Sequence, residues 1–328
     1  MTVEVELTEL ATGLGFPESP LPLADGSVLV SELSAGRVSR VADASTEVYA
    51  DLGGGPNGLL ADGADLLVCQ NGGASWAEVA WPFDLPGAVR LRLPHGPPQR
   101  PVSPAVLRVA QDGTVSTVAT EFTTTTGQVR PLSRPSDICS DGQGGFYLTD
   151  AGATRDRRRE LMGLLHGRPD GTITEILYPL EMPNGVALAP DGRTLYLTET
   201  RTRRVWRVTL DGPGQVSAVH GFATVDSGGP MNFGGADGVC VDPSGYVVVA
   251  TLGSAGLSVY DPAGRLRLWI PTGDPMTTNA SVDRYGDRLV ASLASTGRLV
   301  AVERWSDVLA AVRAGEATTA ASAQVTWR

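Results

Sequence analysis

The stretch PNGVALAPDGRTLYLTET, residues 183–200, reads as a strand, a tight turn at Asp191-Gly192 and a second strand. Asp-Gly between apolar runs is the pairing that short hairpin connections favour. The same unit recurs as PESPLPLADGSVLVSE from Pro17, PNGLLADGADLLVCQN from Pro56, PSDICSDGQGGFYLTD from Pro135, ADGVCVDPSGYVVVAT from Ala236 and TNASVDRYGDRLVASL from Thr278. A third strand follows each copy, as in GRVSRV from Gly36 or RRVWRVTLDG from Arg203, and a fourth precedes the next, as in RLRLWIP from Arg265. Six copies of four strands predict an all-β chain folded as a six-bladed β-propeller, which hides its sheet edges by radial repetition. VEVELTE at the start and AQVTWR at the end read as strands that share a blade and close the ring, and WSDVLAAVRAG from Trp305 is the one good helical stretch.

Residues 1–328 are expected to form a single propeller domain with one insertion at about 72–104, because Asn57 and Ser136 lie 79 residues apart where the other intervals run from 39 to 53. That insertion is rich in Gly, Pro and aromatic residues and carries Trp76, Trp81, Phe83 and His95. Propeller insertions sit in face loops, so a lid over the channel is the first reading and an extra packed hairpin the second.

Composition narrows the function. The chain has 40 glycines and 23 prolines without a collagen-like period, which suits many short strands and turns. All 26 basic residues are arginine and the formal charge is −10. Without lysine there is no Schiff-base chemistry, and so acidic a chain offers no basic field for nucleic acid. MTVEVELTEL lacks the basic and apolar regions of a secretory signal and no apolar run reaches membrane-spanning length, so a cytoplasmic protein with no membrane association is expected. Cys69, Cys139 and Cys240 are isolated within apolar runs and read as buried strand thiols. His95, His166 and His220 fall in the insertion or in outer strands and form no triad or zinc pattern.

The second residue of each unit is polar: Glu18, Asn57, Ser136, Asn184, Asp237 and Asn279. If the repeats are equivalent, these six side chains open the innermost strands and converge on the central channel. An Asn before Gly is commonly only a turn former, but Glu18 is not turn chemistry. Carboxylate and amide oxygens without histidine or cysteine suit a hard divalent cation, Ca²⁺ ahead of Zn²⁺. In the following column, Ser19, Gly58, Asp137, Gly185, Gly238 and Ala280, the carboxylate of Asp137 stands out, either as a general base beside a metal or as a turn Asp accepting backbone N–H groups. Asn71 and Asp150, at matching strand ends, are weaker candidates for lining or supporting the cavity.

The segments GFPESP, GGPNGLLADGADLLVCQNGG, RPSDICSDGQGGFYLTDAG, MPNGVALAPDGRTLYLTETRTRRVWRV and GGADGVCVDPSGYVVVATLGSAGLSVYDPAGR resemble the regucalcin/gluconolactonase/luciferin-regenerating-enzyme family from about Leu10 to Trp305. The resemblance implies a six-bladed propeller with one divalent metal, usually Ca²⁺, in the central channel. It implies Glu18, Asn184 and Asp237 as metal ligands, and many relatives hydrolyse lactones or related esters. Ser136 stands in RPSD where the family usually has Asn, and Ser19 replaces the glycine of its PEGP motif.

The expected function is therefore Ca²⁺-dependent hydrolysis of a lactone or related cyclic ester. Asp137 and Asp237 are the candidate catalytic residues, and Asn57, Asn71, Ser136, Asn279, Trp76 and Trp81 the candidate contacts to a small-molecule substrate. Two other readings stay open: a metal-assisted isomerisation, cyclisation or elimination on the same scaffold, and a non-catalytic ligand-binding propeller.

Overall fold

The computed structural model describes residues 2–43, 45–80, 90–155, 157–226, 234–315 and 321–327. Six four-stranded antiparallel blades surround a central axis. Their inner strands are Pro17–Pro22, Pro56–Asp62, Pro135–Ser140, Pro183–Leu188, Gly235–Val241 and Thr277–Asp283. Each inner strand packs against the next, and Thr277–Asp283 returns to Pro17–Pro22 to complete the circle. Thr2–Ala11 is the outer strand of blade 6, antiparallel to Arg298–Val302, and Ala321–Trp327 lies parallel to it while also pairing with Leu266–Pro271 of blade 5. The two chain ends thus meet at one seam, as expected. The helix Trp305–Ala314 packs beside that seam and buries Trp305, whose indole N–H donates to Asp242 at 3.0 Å.

The core lies between blades, as strands with two buried faces demand. Leu67, Cys69 and Val106 of blade 2 pack with Ile138, Leu148 and Leu165 of blade 3, and Tyr147 and Leu164 pack with Val186, Leu195 and Leu197 of blade 4.

One irregularity repeats in all six blades and builds the axis. Within the first five residues of every inner strand the pairing slips by one, as in Pro56↔Gln70 followed by Leu59↔Val68. Such a bulge re-aims the side chains beside it. Glycines follow Asn57 and Asn184 for a steric reason. A Cβ on Gly58 would stand 2.7 Å from the Asp137 Cα, and one on Gly185 would stand 2.6 Å from the Asp237 carbonyl oxygen. Adjacent inner strands approach too closely for a side chain there. Hydroxyls on the second strands tie consecutive blades at the same level: Ser31 donates to the carbonyl of Asn57, Thr149 to that of Asn184 and Thr198 to that of Asp237.

Buried acceptors at the ends of second strands hold the loops that lead into the inner strands. Glu32 accepts from the Gly15 N–H at 2.6 Å, Gln70 from Gly55 at 2.6 Å, Asp150 from Ser133 and Arg134 at 2.7 Å each, and Glu199 from Glu181 at 2.5 Å. Glu32 is 1% exposed and is also bonded to Arg37 and Ser39. Burial alone would raise its pKa, but the bonds from Arg37, Ser39 and Gly15 outweigh that and hold it below the usual range. A carboxyl depressed on folding contributes stability above its unfolded pKa of about 4.3 and loses it as pH falls through the lower folded value. Glu32→Ala is expected to cost about 3 kcal/mol at neutral pH, the low end for a broken buried pair because Arg37 stays 36% exposed. Urea unfolding at pH 7 and at pH 3 measures this; the gap between wild type and variant should shrink at pH 3.

Candidate active site

Five expected ring residues open their inner strands at one end of the channel. The side chains of four of them touch in blade order: the Asn57 amide donates to Ser136 Oγ at 3.4 Å, Ser136 donates to Asn184 Oδ1 at 2.8 Å, and Asn184 Nδ2 contacts Asp237. Neither Asn57 nor Asn184 has a positive φ, so neither is a turn former.

Blade 6 departs from the expected register by one residue. Thr277 pairs with Leu293 and Ala280 with Ala291, just as Pro135 pairs with Asp150 and Ile138 with Leu148. Thr278 therefore occupies the ring level, bonded to the Pro17 carbonyl at 2.9 Å, and Asn279 is the counterpart of Asp137. Both side chains adopt the same local conformation. Asp137 Oδ1 accepts from the Ile138 N–H at 2.9 Å, and Asn279 Oδ1 accepts from the Ala280 N–H at 2.8 Å. Thr278 and Asn279 are both polar, which is why reading down the column did not reveal the slip. Ser19, third in blade 1, takes a φ of 47°, a region that favours glycine, and its hydroxyl accepts from the Leu59 N–H at 2.9 Å.

Electrostatics at this level is dominated by three buried carboxyl groups, Glu18, Asp137 and Asp237. Burial, then the proximity of Asp137, pushes Glu18 up to about 8. Burial raises Asp137 to about 7 against the bonds from Val186, Ile138 and Asn279, and burial followed by Glu18 and Asp137 raises Asp237. No arginine or histidine among the described residues forms an ion pair with any of the three. Acidic groups crowded without a counter-charge, with amide oxygens beside them, fit a hard divalent cation. Among the described residues no three His, Cys, Asp or Glu side chains are gathered as a metal cluster; the expected set combines two carboxylates with the amide of Asn184.

The Asn279 amide lies near enough to Glu18 and Asp137 to lower the pKa of each, which links the ring to the level beneath it. Below that level a cavity of about 640 Å³ runs toward the opposite face, from Ser19, Asp137 and Asn279 past Leu60, Cys139 and Cys240 to Arg284 and Tyr285. Burial pushes the Cys240 thiol up to about 12, so it is a neutral wall group at physiological pH.

Two weaker candidates have local structural roles. Asn71 Oδ1 accepts from the Gly73 N–H at 2.9 Å and shapes the turn into the insertion, while Asp150 clamps the loop at Ser133–Arg134. The strand-end counterpart of Asp150 is Gln70, not Asn71. His166 is buried against Asp141 at 3.0 Å, and His95 and His220 are exposed.

The insertion leaves blade 2 on the ring side as a two-stranded hairpin, Ser75–Ala80 and Arg90–Gly96, where a loop was the first expectation. Trp76 packs on Phe16, with ring centroids 4.8 Å apart, two residues before Glu18. Trp81 and Phe83 lie outside the described residues.

Residues 16–282 match the family profile described as the SMP-30/Gluconolactonase/LRE-like region. A curated lactonase drp35 of Staphylococcus haemolyticus is 33% identical over 132 residues, covering 39% of this chain and 38% of the relative's length. Among solved structures, a gluconolactonase of Xanthomonas campestris superposes with a TM-score of 0.69 at 22% identity, over 90% of this chain and 89% of that one. A calcium-binding regucalcin of Agrobacterium tumefaciens gives 0.66 at 15% identity, over 92% and 95%. These two likenesses are of fold.

Proposed function

The chain belongs to the SMP-30/gluconolactonase/LRE-like family, and from that membership we propose that it is a divalent-cation-dependent hydrolase of a lactone or related cyclic ester. The observation that carries the reading is the trio of buried carboxyls at the axis, surrounded by amide and hydroxyl oxygens and facing no cationic side chain among the described residues. The names of the relatives support the substrate class.

Glu18, Asn184 and Asp237 would hold the cation, most simply Ca²⁺ given the all-oxygen donors. When bound, it supplies Lewis-acid polarisation of the lactone carbonyl and stabilises the oxyanion. Asp137, or Asp237 in its place, takes a proton from water as the water oxygen bonds to the lactone carbonyl carbon and the C=O π electrons move onto the carbonyl oxygen, giving a tetrahedral centre. Collapse breaks the ring ester bond, and the proton returns to the departing alkoxide to give the hydroxy acid. Ser136 and Asn57 lie beside Asn184 and orient the ring oxygens, and Asn279 holds Asp137 in place.

A panel of γ- and δ-lactones in a pH-indicator assay tests the reading. Acid release should require added Ca²⁺ or another divalent ion and stop with chelator. Turnover unchanged in chelator removes the metal from the mechanism. Silence toward every lactone, with acceptance of a cognate cyclisation or elimination substrate, favours the biosynthetic alternative.

The hairpin acts as a lid that selects apolar substituents, since Trp76 is already anchored beside the ring through Phe16. Trp76→Ala should lower kcat/KM about 10-fold for alkyl-substituted lactones relative to unsubstituted ones, the scale of one or two apolar contacts. An equal change for both, or none after deleting residues 74–101, assigns the hairpin to packing alone.

A further inference from the structure

Three arginines lie on ring-side segments of blades 3 and 4, near enough for Arg201 and Arg134 to act electrostatically on Arg159. Arg134 stands two residues before Ser136, on the loop clamped by Asp150. Arg201 directly follows Thr200, whose hydroxyl accepts from Asn184 Nδ2 at 3.2 Å. Arg159 belongs to a small hairpin, Thr154–Arg155 with Arg158–Arg159, that projects from the same side of blade 3.

Arg159 is poorly matched in the protein as it stands. Its Nε is the one buried side-chain nitrogen or oxygen among the described residues with no hydrogen-bond partner. One terminal nitrogen bonds Thr154 at 3.3 Å, and the nearest recorded carboxylate oxygen, on Glu181, is 3.9 Å from Nε. The side chain is only 17% exposed, so water gives it little compensation. Burial lowers its pKa, and repulsion from Arg201 and Arg134 lowers it further against the attraction of Glu181. The Asp150 carboxylate is occupied by the N–H groups of Ser133, Arg134 and Gly152. A chain with a formal charge of −10 thus concentrates three arginines on one side of its ring, where Arg159 has only the 3.9 Å pair to Glu181.

We propose that Arg159, with Arg134 and Arg201, forms an oxyanion subsite, and that the natural lactone carries a carboxylate or phosphate group directed toward blades 3 and 4. This deepens the lactone reading and rests on it. Guanidinium forks recognise either oxyanion through paired N–H bonds, and Arg201, the exposed member of the three, is the first fork that such a group would meet. The apolar part of the same substrate would then face Trp76, which lies on the blade 1 side through Phe16.

The test compares 5-oxotetrahydrofuran-2-carboxylate, its methyl ester and a phosphooxymethyl γ-butyrolactone as substrates of the metal-loaded full chain. Wild type should prefer one of the anions to the ester, and which anion wins identifies the group. Arg159→Gln and Arg201→Gln should each reduce the anion-to-ester ratio of kcat/KM about 10- to 100-fold, through KM, the scale of a hydrogen bond to a charged group. Arg108→Gln, in blade 2 and paired with Asp62 and Asp65, should leave the ratio unaltered. A wild type that favours the ester, or variants that keep the ratio, overturns the proposal. Tetrahydrofuran-2-carboxylate and inorganic phosphate, which cannot be hydrolysed, are titrated in parallel by calorimetry. If no lactone turns over, binding of one of them by wild type and its loss in Arg159→Gln sustains the subsite while the lactone reading fails. No binding of either overturns the subsite.

Discussion

Asp237→Asn should yield a folded propeller that neither retains a divalent cation nor hydrolyses lactones above background. The backbone of Asp237 carries the structural contacts: its carbonyl receives the Thr198 hydroxyl and is the surface against which Gly185 packs. An isosteric amide leaves those in place. What disappears is one of the two anionic groups in the expected ligand set. Changing groups that merely support ligands costs 10- to 100-fold in metal affinity, so losing a charged ligand should cost about 100-fold or more. Metal content after dialysis and the melting curve together decide the matter. In wild type, cation at about 100 times Kd should add roughly 2.7 kcal/mol, because Glu18, Asn184 and Asp237 come from blades 1, 4 and 5, and chelator should remove it. In Asp237→Asn chelator should have no effect. The cation-free variant should melt no lower than cation-free wild type, since it has one fewer buried carboxyl beside Glu18 and Asp137. Stoichiometric metal in Asp237→Asn would refute the ligand assignment.

The propeller was legible because each repeat is a local hairpin unit with its own Asp-Gly or glycine turn, and because the ring residues sit at a constant place in that unit. The blade 6 register was not, because Thr278 and Asn279 are both polar and only the pairing of Thr277 with Leu293 separates them. The glycines of the two PNG motifs suggested turns; they are there because neighbouring inner strands nearly touch, a contact between blades that no single repeat announces. The clamps made by Glu32, Gln70, Asp150 and Glu199 escaped notice for a related reason. Carboxylate and carboxamide serve equally well as acceptors of a loop N–H, so the column varies in charge while conserving one function along the fold. The ring-side arginines lie on loops and on a small hairpin outside the repeated unit, where no column exists to compare.

Asp137→Asn should lower kcat by about 10²–10⁴-fold with metal content intact, the usual contribution of a general base. Asp137 shows the holding bonds that one expectation from the sequence calls for, and its surroundings suit the test of the other. Its two oxygens accept the N–H groups of Ile138 and Val186, at 2.9 and 3.1 Å, which is what a holding residue does. It also lies buried between the ring and the opposite cavity, against Asn279 and within electrostatic reach of Glu18 and Asp237, where a cation would favour the ionised form that a base requires. The substitution separates these roles because they make different demands. The new amide can still accept from Ile138, but its NH₂ group would oppose the Val186 N–H, so a holding role predicts a stability loss of about 1–3 kcal/mol and little change in kcat once the protein is folded. A base role predicts the kcat loss at a temperature far below the melting transition, with KM little altered. Retention of more than about half of wild-type kcat would make Asp137 a structural link between blades 3 and 4 and leave proton transfer to Asp237.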